Sequence, residues 1–297
     1  MSLYFRTLQL LPKNALSRLM GYVTSLRLPK WFVQKEIHYF SSHFGVNLSE
    51  IKEPLTHFKS LQEFFTRELK PGARTVDADE QSLISPCDGS LGQSGQVESG
   101  TLLQIKGRPY QLSDLLGDDD LAKRLEGGDY ATFYLSPKDY HRFHMPFSAH
   151  VQEALYWPGQ LWPVNPWAVE NCHELFCVNE RIVMVLKSSA DPNEVAVLVA
   201  VGATMVGKIR VHFDTTLTSN LSFRKPERRR YSSFFAKGDE LGYFEFGSTL
   251  VLVTSPRLAK INSLSFQHPL KMGERVGTIL CCSKNHSNSP MPSHLVS

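Results

Sequence analysis

The chain has 297 residues, of which 42% are hydrophobic and 21% are charged, and its formal net charge is +3. These values are ordinary for a globular protein and exclude a disordered, collagen-like or coiled-coil chain, and the length accommodates one large domain or two smaller ones. The longest apolar run, residues 196–206, is too short for a membrane-spanning helix. The five cysteines show no paired CxxC spacing, which predicts a reducing compartment. The N-terminal residues do not resemble a secretion signal, so we expect the protein to stay on the cytoplasmic side of the membrane.

The first 35 residues are basic and contain no acidic side chain. Apolar residues recur there at helical spacing in two stripes, one after Pro12 and one after Pro29, which predicts two amphipathic helices. A basic amphipathic segment is typical of helices that lie on anionic lipid, so we predict contact with a membrane surface. Two alternatives stay open, namely helices that cap the core and helices that form a homodimer contact; nucleic acid is not favoured as a partner, because the basic residues do not cluster. The basic residues are Arg6, Lys13, Arg18, Arg27, Lys30 and Lys35, and the stripes are Leu16, Leu19, Met20, Val23 and Leu26, then Val33, Ile37, Phe40 and Phe44.

A third helix is predicted from Ser60 and Glu63, which are in capping-box register, and Pro71-Gly72 is expected to end it. Beyond it, short runs rich in β-branched and aromatic residues alternate with turn signals. These runs are residues 130–135, 149–156, 181–186, 195–201, 209–213, 241–246, 249–254 and 276–281. The sequence therefore predicts an α+β fold: N-terminal amphipathic helices in a membrane-contact region, residues 1–70, a mainly antiparallel β-rich domain, residues 71–285, and a loose tail, residues 286–297.

Three segments carry residues that are capable of chemistry. Phe246-Gly247-Ser248-Thr249 lies between two predicted strands and, on its own, is most often a bulge or a tight bend. His141 and His144 are spaced like half of a metal site, but no Glu or Cys nearby completes it, so we predict no metal. Asp88 lies in a turn that contains Pro and Gly and, taken alone, is only a turn residue.

Taken together, these segments resemble the phosphatidylserine decarboxylase family, and the resemblance covers nearly the whole chain. The segment from Tyr134 to Pro146, YLSPKDYHRFHMP, is highly specific, and the Gly-Ser-Thr element, weak alone, becomes strong in its company. Phe246 stands where a leucine is more usual in the family. Further matching segments are Phe64-Phe65-Thr66-Arg67, Pro86-Cys87-Asp88-Gly89, Val164-Asn165-Pro166, Asn179-Glu180-Arg181 and residues 201–207.

The resemblance implies how the reaction obtains its electrophile. Loss of carbon dioxide from an α-amino acid leaves electrons on the α-carbon, and no ordinary side chain accepts them, so an electrophilic carbonyl is required. In this family the chain makes that carbonyl itself. Here Ser248 would attack the Gly247 carbonyl, the chain would split into residues 1–247 and 248–297, which stay associated, and Ser248 would become a pyruvoyl group.

The same resemblance assigns roles to three further residues. His144 would be the base that activates the Ser248 hydroxyl, and Asp88 would orient His144, in an arrangement like that of other hydrolytic triads. His141 matches a second histidine of the family, which we assign to proton transfer during decarboxylation or to contact with the substrate carboxylate.

The implied reaction converts phosphatidylserine to phosphatidylethanolamine and carbon dioxide, in a peripheral enzyme on the cytoplasmic side of the cell membrane. The basic run Arg224–Arg230 either adds to the lipid-facing surface, holds lipid phosphate, or is a solvated loop. Two other classes stay open. A non-catalytic, β-rich protein that binds anionic lipid has no need of Asp88, His144 and Ser248 together, and a pyridoxal-phosphate or metal-dependent enzyme needs a cofactor lysine or a full set of ligands.

Overall fold

A computed structural model describes residues 13–104, 108–189, 191, 193–204, 208–220 and 225–280. The predictions for Arg6, for residues 205–207, for Arg224 and for the tail fall outside these residues. Helices at the N-terminal end are followed by a mainly antiparallel β region, so the predicted α+β fold is confirmed.

Both N-terminal amphipathic helices form, and the third helix is shorter than predicted. Its start is capped as expected, because Ser60 Oγ accepts a hydrogen bond from the Glu63 amide at 3.2 Å. It ends at Phe65 instead of at Pro71-Gly72, since Leu69 forms a β-bridge with Ile51 that pulls the chain into an extended path. The helices are α1 Lys13–Ser25, α2 Lys30–Phe44, α3 Leu61–Phe65, α4 Leu112–Leu116, α5 Asp119–Arg124, α6 Pro166–Asn171 and α7 Leu175–Val178, with single 3-10 turns at Leu48–Glu50 and Leu55–His57. Helices α4 to α7 were not predicted, because four to six residues are too few to show a helical period.

Every predicted β run overlaps an observed strand. The strands are β1 Ser82–Ile84, β2 Gly89–Gln96, β3 Thr101–Leu103, β4 Pro109–Gln111, β5 Asp129–Leu135, β6 Arg142–His144, β7 Ala149–Trp157, β8 Arg181–Ser188, β9 Val195–Val201, β10 Ile209–Val211, β11 Glu227–Phe235, β12 Glu240–Phe244, β13 Ser248–Thr254, β14 Ala259–Ile261, β15 Pro269–Leu270 and β16 Arg275–Ile279. Strands such as β1 and β6 are three residues long, too short to be recognised from alternation alone.

One antiparallel sheet of eight strands organises the molecule, in the order β11-β7-β8-β9-β13-β5-β2-β15. Smaller sheets, β1-β16-β14 and β10-β12-β6, contribute to the core on one face of it. Along β13, Leu250 and Leu252 pack into this core, while Val251 and Val253 pack into a second core on the opposite face. Because both faces are covered, β9 is apolar along its whole length, and β13 has a continuous apolar run from Leu250 to Val253.

The two N-terminal helices differ in what their apolar faces contact. Helix α2 buries Val33 and Ile37 in a small cluster with Phe64 of α3. Helix α1 leaves Leu19 56% exposed and Tyr22 66% exposed. Within the described residues, no helix is both long enough and apolar enough to cross a membrane.

The described part of the predicted basic run is a strand and not a solvated loop. Arg228, Arg229 and Arg230 lie in β11, the edge strand of the large sheet. Arg229 Nη1 is 2.6 Å from a carboxylate oxygen of Asp214, and Arg230 Nε is 3.3 Å from one of Glu153. Arg228 also pairs with acidic side chains, so these arginines are largely neutralised by the protein itself.

Candidate active site

The Gly247-Ser248 peptide bond lies at the entrance to the central strand of the large sheet. Ser248 is the first residue of β13 and pairs with Leu135 of β5. The Ser248 hydroxyl is fully buried and has no hydrogen-bond partner among the described residues. A buried hydroxyl without a partner is unfavourable and uncommon, so the structure keeps this oxygen available at some cost in stability.

Gly247 is not required by the folded conformation. A Cβ atom at this position would meet nothing within 4 Å, and the residue does not adopt a left-handed backbone. The steric reason for a glycine is stronger at Gly89, beside Asp88, where a Cβ would lie 2.3 Å from the Tyr134 carbonyl oxygen. Gly89 therefore allows the Asp88 turn to pack directly against strand β5, whereas Gly247 leaves free space at the peptide bond.

An aromatic stack joins the Ser248 region to His141. The Phe65 ring, at the end of α3, stacks on Phe246 with a centroid distance of 4.3 Å and lies 4.0 Å from the His141 ring. The third helix thus contributes directly to the site, although its sequence signals only a capped helix. The structure brings His141 close to the segment that contains Gly247 and Ser248.

His141 is fully buried and is held as a neutral imidazole. Its Nδ1 lies 2.9 Å from the Asp139 carbonyl oxygen, which can only accept, so Nδ1 carries the proton. Nε2 is then unprotonated, and it has no hydrogen-bond partner in the described part of the chain. Burial lowers the pKa of His141 to about 3. The arrangement presents an unprotonated nitrogen in a region that water does not reach.

His144 lies in β6 and is anchored at both nitrogens. Nδ1 donates to the Gly238 carbonyl oxygen at 2.8 Å, and Nε2 lies 3.3 Å from the Tyr140 hydroxyl, from which it can accept a hydrogen bond. Burial lowers the pKa of His144; the hydrogen bond to the Gly238 carbonyl and the charge of Glu240 offset part of this effect, and the charge of Asp88 offsets less. His144 is therefore also a neutral base with its lone pair on Nε2.

Asp88 is bound by an arginine and not by His144. Arg74 donates from Nε to both carboxylate oxygens of Asp88, at 2.7 and 3.0 Å, and also from Nη2. The Met272 amide donates to the same carboxylate at 2.9 Å. Asp88 and His144 are linked only through the backbone, because the His144 amide donates to the Pro86 carbonyl at 2.7 Å. In the uncleaved chain no hydrogen bond joins Asp88 to His144, or His144 to Ser248, within the described residues.

A cavity of about 690 Å³ opens beside these groups. Its wall includes Tyr134 and Ser136, which flank Leu135, the partner of Ser248 in the sheet. Asp88 and Tyr140 also line the cavity, whereas His141, His144 and Ser248 do not line it themselves. Charged residues on the wall are Glu50, Arg67, Arg74, Asp88, Lys138, Asp139, Lys271 and Glu274.

Sequence reasoning missed several residues of this site. Phe65 and Arg67 lie in a segment that carries the family resemblance, but nothing local assigns either of them a role. Tyr140 lies inside the histidine segment, and only the fold shows its hydroxyl next to His144. Arg74 follows the third helix in a loop and has no signal of its own, because its partner Asp88 is recognised only in three dimensions.

Comparison with known proteins identifies the family. The family model described as phosphatidylserine decarboxylase matches residues 61–278, which is more than half of the chain and includes Asp88, His141, His144, Gly247 and Ser248. The chain belongs to the phosphatidylserine decarboxylase family. Proteins named phosphatidylserine decarboxylase proenzyme are similar to it over nearly their full length, so the resemblance to this family is confirmed.

Three such relatives come from distant bacteria. The protein of Myxococcus xanthus is 40% identical over 277 residues, which is 93% of this chain and 98% of the relative. The protein of Brevibacillus brevis is 38% identical over 272 residues, covering 90% of this chain and 95% of the relative. The protein of Pseudomonas aeruginosa is 39% identical over 272 residues, covering 89% and 93%.

Proposed function

We propose that the protein decarboxylates phosphatidylserine to phosphatidylethanolamine after cleaving its own chain between Gly247 and Ser248. The observation that carries this proposal is the buried hydroxyl of Ser248, which has no hydrogen-bond partner among the described residues and lies at the start of a central strand whose neighbour β5 borders a large cavity. Membership of the decarboxylase family supports the reaction, and the proenzyme names of the relatives support a chain that matures by processing.

In the proposed cleavage the chain acts on its own backbone. The Ser248 hydroxyl gives its proton to a base as Oγ attacks the Gly247 carbonyl carbon, and breakage of the peptide C–N bond leaves an ester and a free amine. Elimination then releases the Gly247 carboxylate and leaves a dehydroalanine, which tautomerises and takes up water to give the pyruvoyl group and ammonia. The open space at Gly247 favours this step, since no neighbouring atom within 4 Å crowds the position of a Cβ.

The residues around Ser248 fit a pyruvoyl group. A serine is the residue type from which the group forms, and after cleavage the strand pairing with Leu135 still anchors residue 248. The site is buried, so water does not compete for the new carbonyl. When formed, the group supplies the electron-accepting carbonyl that loss of carbon dioxide requires.

Two histidines supply unprotonated nitrogens for these steps. We assign His144 as the base for cleavage. In this proposal its Nε2 gives up the hydrogen bond from the Tyr140 hydroxyl and accepts the proton of the Ser248 hydroxyl instead. Asp88, held by Arg74, supports His144 through its charge and through the backbone of the turn. His141 Nε2 has no hydrogen-bond partner in the described segments, and we assign it to proton transfer during decarboxylation.

The N-terminal region, residues 1–70, is proposed as the contact with a membrane surface. The exposed apolar side chains of α1 and the start of α2, among them Leu19, Tyr22 and Trp31, suit insertion between lipid headgroups. Lys and Arg near an anionic surface add about 1 kcal/mol each. A lipid substrate stays in the bilayer, so a peripheral enzyme of this kind meets it at the surface.

The decisive experiment is mass analysis of the denatured protein. The wild type is expected to give two fragments that part before Ser248, the smaller one blocked to Edman degradation because its terminal amine is gone. Ser248→Ala is expected to stay intact and to lose activity by at least roughly 1,000-fold. Thr249→Val is the matched control, since the neighbouring Thr249 hydroxyl is also buried and unpartnered but points to the other face of the sheet. An unbroken chain with full activity would refute the mechanism.

A further inference from the structure

Arg67 is a buried cation that lacks a counter-ion. Its side chain is 4% exposed, and Nη2 donates to the carbonyl oxygens of Lys138 and Asp139 at 2.8 and 3.0 Å. Nε and Nη1 have no hydrogen-bond partner among the residues that the structure describes and are not exposed, so water does not replace the missing partner. In the described part of the chain no carboxylate comes within ion-pair distance of this guanidinium, and Asp88 and Asp139 act on it only from farther away.

The contrast with Arg74 shows that this is unusual in the same cavity. Arg74 is similarly buried, but it binds the carboxylates of Asp88 and Glu50. The Phe64 ring, whose centroid is 5.2 Å from the Arg67 guanidinium carbon, offsets part of the cost, but a buried charge that is neither paired nor fully hydrogen-bonded is unfavourable. An arginine kept in this state next to a cavity is expected to meet an anion there.

The other acidic groups of the cavity do not compensate Arg67. The Asp139 carboxylate accepts hydrogen bonds from the Ser136 amide and hydroxyl, both at 2.7 Å. Glu274 accepts from the Lys271 amide at 3.0 Å. Lys138, which is exposed beside Arg67 on the wall, also has no carboxylate within ion-pair distance among the described residues. Arg67 and Lys138 are therefore two cations of the wall that have no directly paired carboxylate among the described residues.

We infer that Arg67, assisted by Lys138, binds the phosphodiester of the lipid headgroup in this cavity. The inference rests on the proposed function, because it takes phosphatidylserine as the ligand. A phosphodiester presents two equivalent oxygens, which match the paired nitrogens of a guanidinium. Because Nε and Nη1 are covered in the uncleaved chain, the guanidinium must turn toward the cavity to make this contact.

The substrate carboxylate is a poorer ligand for Arg67. The negative charge of the carboxylate leaves the carboxyl carbon as carbon dioxide departs, so an arginine paired with it would stabilise the substrate more than the transition state and would slow the reaction. The phosphodiester keeps its charge from substrate to product. Binding there holds the headgroup in the cavity beside Ser248 without opposing the chemistry.

Binding to the uncleaved Ser248→Ala chain separates this inference from the proposed function, since that chain neither matures nor turns over. The probe is glycerophosphoserine, titrated by calorimetry beside serine, which lacks the phosphodiester, and inorganic phosphate, which lacks the headgroup. We expect glycerophosphoserine to bind at least roughly tenfold more tightly than either of the others. Equal binding of inorganic phosphate would identify a general phosphate site and overturn the assignment to the headgroup, and equal binding of serine would exclude a phosphate site.

Variants then test Arg67 itself. In the Ser248→Ala background, Arg67→Lys should weaken glycerophosphoserine binding roughly tenfold, because lysine keeps the charge and loses the paired donors. Lys138→Met should weaken it a few-fold, while Lys123→Met, which removes an exposed lysine outside the cavity, should leave it unchanged. Circular dichroism checks that Arg67→Lys keeps its fold.

The mature enzyme gives an independent readout. With a soluble short-chain phosphatidylserine, Arg67→Lys should raise KM roughly tenfold and leave kcat within about twofold, as expected for binding that is equal in substrate and transition state. Unchanged binding together with unchanged KM would overturn the role of Arg67. A failure of the wild type to mature would refute the proposed function and leave the binding result readable.

Discussion

At the scale of single residues, burial more than ion pairing sets the protonation states of the two histidines in the site. His141 and His144 are both kept neutral because water is excluded, and each donates Nδ1–H to a backbone carbonyl, which leaves Nε2 as the basic atom. They differ in that Nε2 of His144 already contacts the Tyr140 hydroxyl, whereas Nε2 of His141 contacts no polar group in the described residues. This difference is the physical basis for giving them separate roles.

Burial of His141 should make the stability of the uncleaved chain fall at acidic pH. The unfolded chain takes up a proton at His141 below about pH 6.5, whereas the folded chain does not until about pH 3, so acidification favours unfolding through this window. Between pH 6.5 and 5 the expected loss from this residue is about 2 kcal/mol. His141→Asn keeps a donor for the Asp139 carbonyl and removes the titration, so its free energy of unfolding should depend less on pH by that amount.

The measurement is urea unfolding of Ser248→Ala chains with and without the second substitution, at several pH values. His38→Asn, at an exposed position on α2, serves as the control and should follow the parent curve. Parallel curves for His141→Asn and its parent would show that His141 does not titrate as described.

At the scale of secondary-structure elements, the two amphipathic helices have similar apolar patterns but use them differently, one for packing in the core and one for exposure at the surface. Both stripes have the same helical period, and the sequence leaves core packing and lipid contact open for each. Helix α2 packs Val33 and Ile37 against Phe64, so its stripe belongs to the fold. Helix α1 has most of its stripe exposed, with Leu19 and Val23 at 56% and 46%. The lipid-contact proposal therefore applies chiefly to α1 and to the exposed start of α2.

Polar substitution on α1 should weaken membrane binding without unfolding the protein. In Leu19→Ser/Val23→Ser, two exposed aliphatic groups are lost, and we expect binding to vesicles of phosphatidylglycerol and phosphatidylcholine to fall roughly tenfold. Co-sedimentation with the vesicles measures the effect. Phe234→Ser is the matched control, because Phe234 is 55% exposed on the edge strand β11. Equal binding by the double variant and the wild type would exclude α1 as the contact.

At the scale of the whole molecule, the proposed cleavage would give two fragments, residues 1–247 and 248–297, whose strands pair within the same sheets. Strand β13 belongs to the small fragment, yet it lies between β5 and β9 of the large fragment and is hydrogen-bonded to both. The small sheet also mixes the two, since β16 pairs with β1. Leu250 and Val251 are fully buried, one on each side of the sheet. Removing the small fragment would open both cores.

The two fragments should therefore remain together after maturation. Native mass spectrometry is expected to find one species with the summed mass of both fragments, while denaturing analysis separates them. Ser248→Ala supplies the single-chain reference. Release of the small fragment during gel filtration without denaturant would contradict the packing described for β13.

The sequence by itself determined those features that depend on residues close to one another along the chain. The period of the apolar residues predicts α1, α2 and the long strands, and the Ser60 cap predicts the start of α3, because these signals lie within one or two turns or one strand. The α+β class follows from their order. The resemblance, carried by contiguous segments, names the family and the residues proposed for chemistry.

Only the tertiary structure decided which side chains meet. The Asp88 carboxylate binds Arg74 instead of His144, Arg67 reaches a turn about 70 residues away, and Phe65 stacks on Phe246 across most of the chain. The sheet order places Ser248 between distant strands and leaves its hydroxyl without a partner. Such contacts depend on how whole elements pack and on which polar groups lose water. Neither property can be predicted from the local periodicity of apolar residues in a sequence.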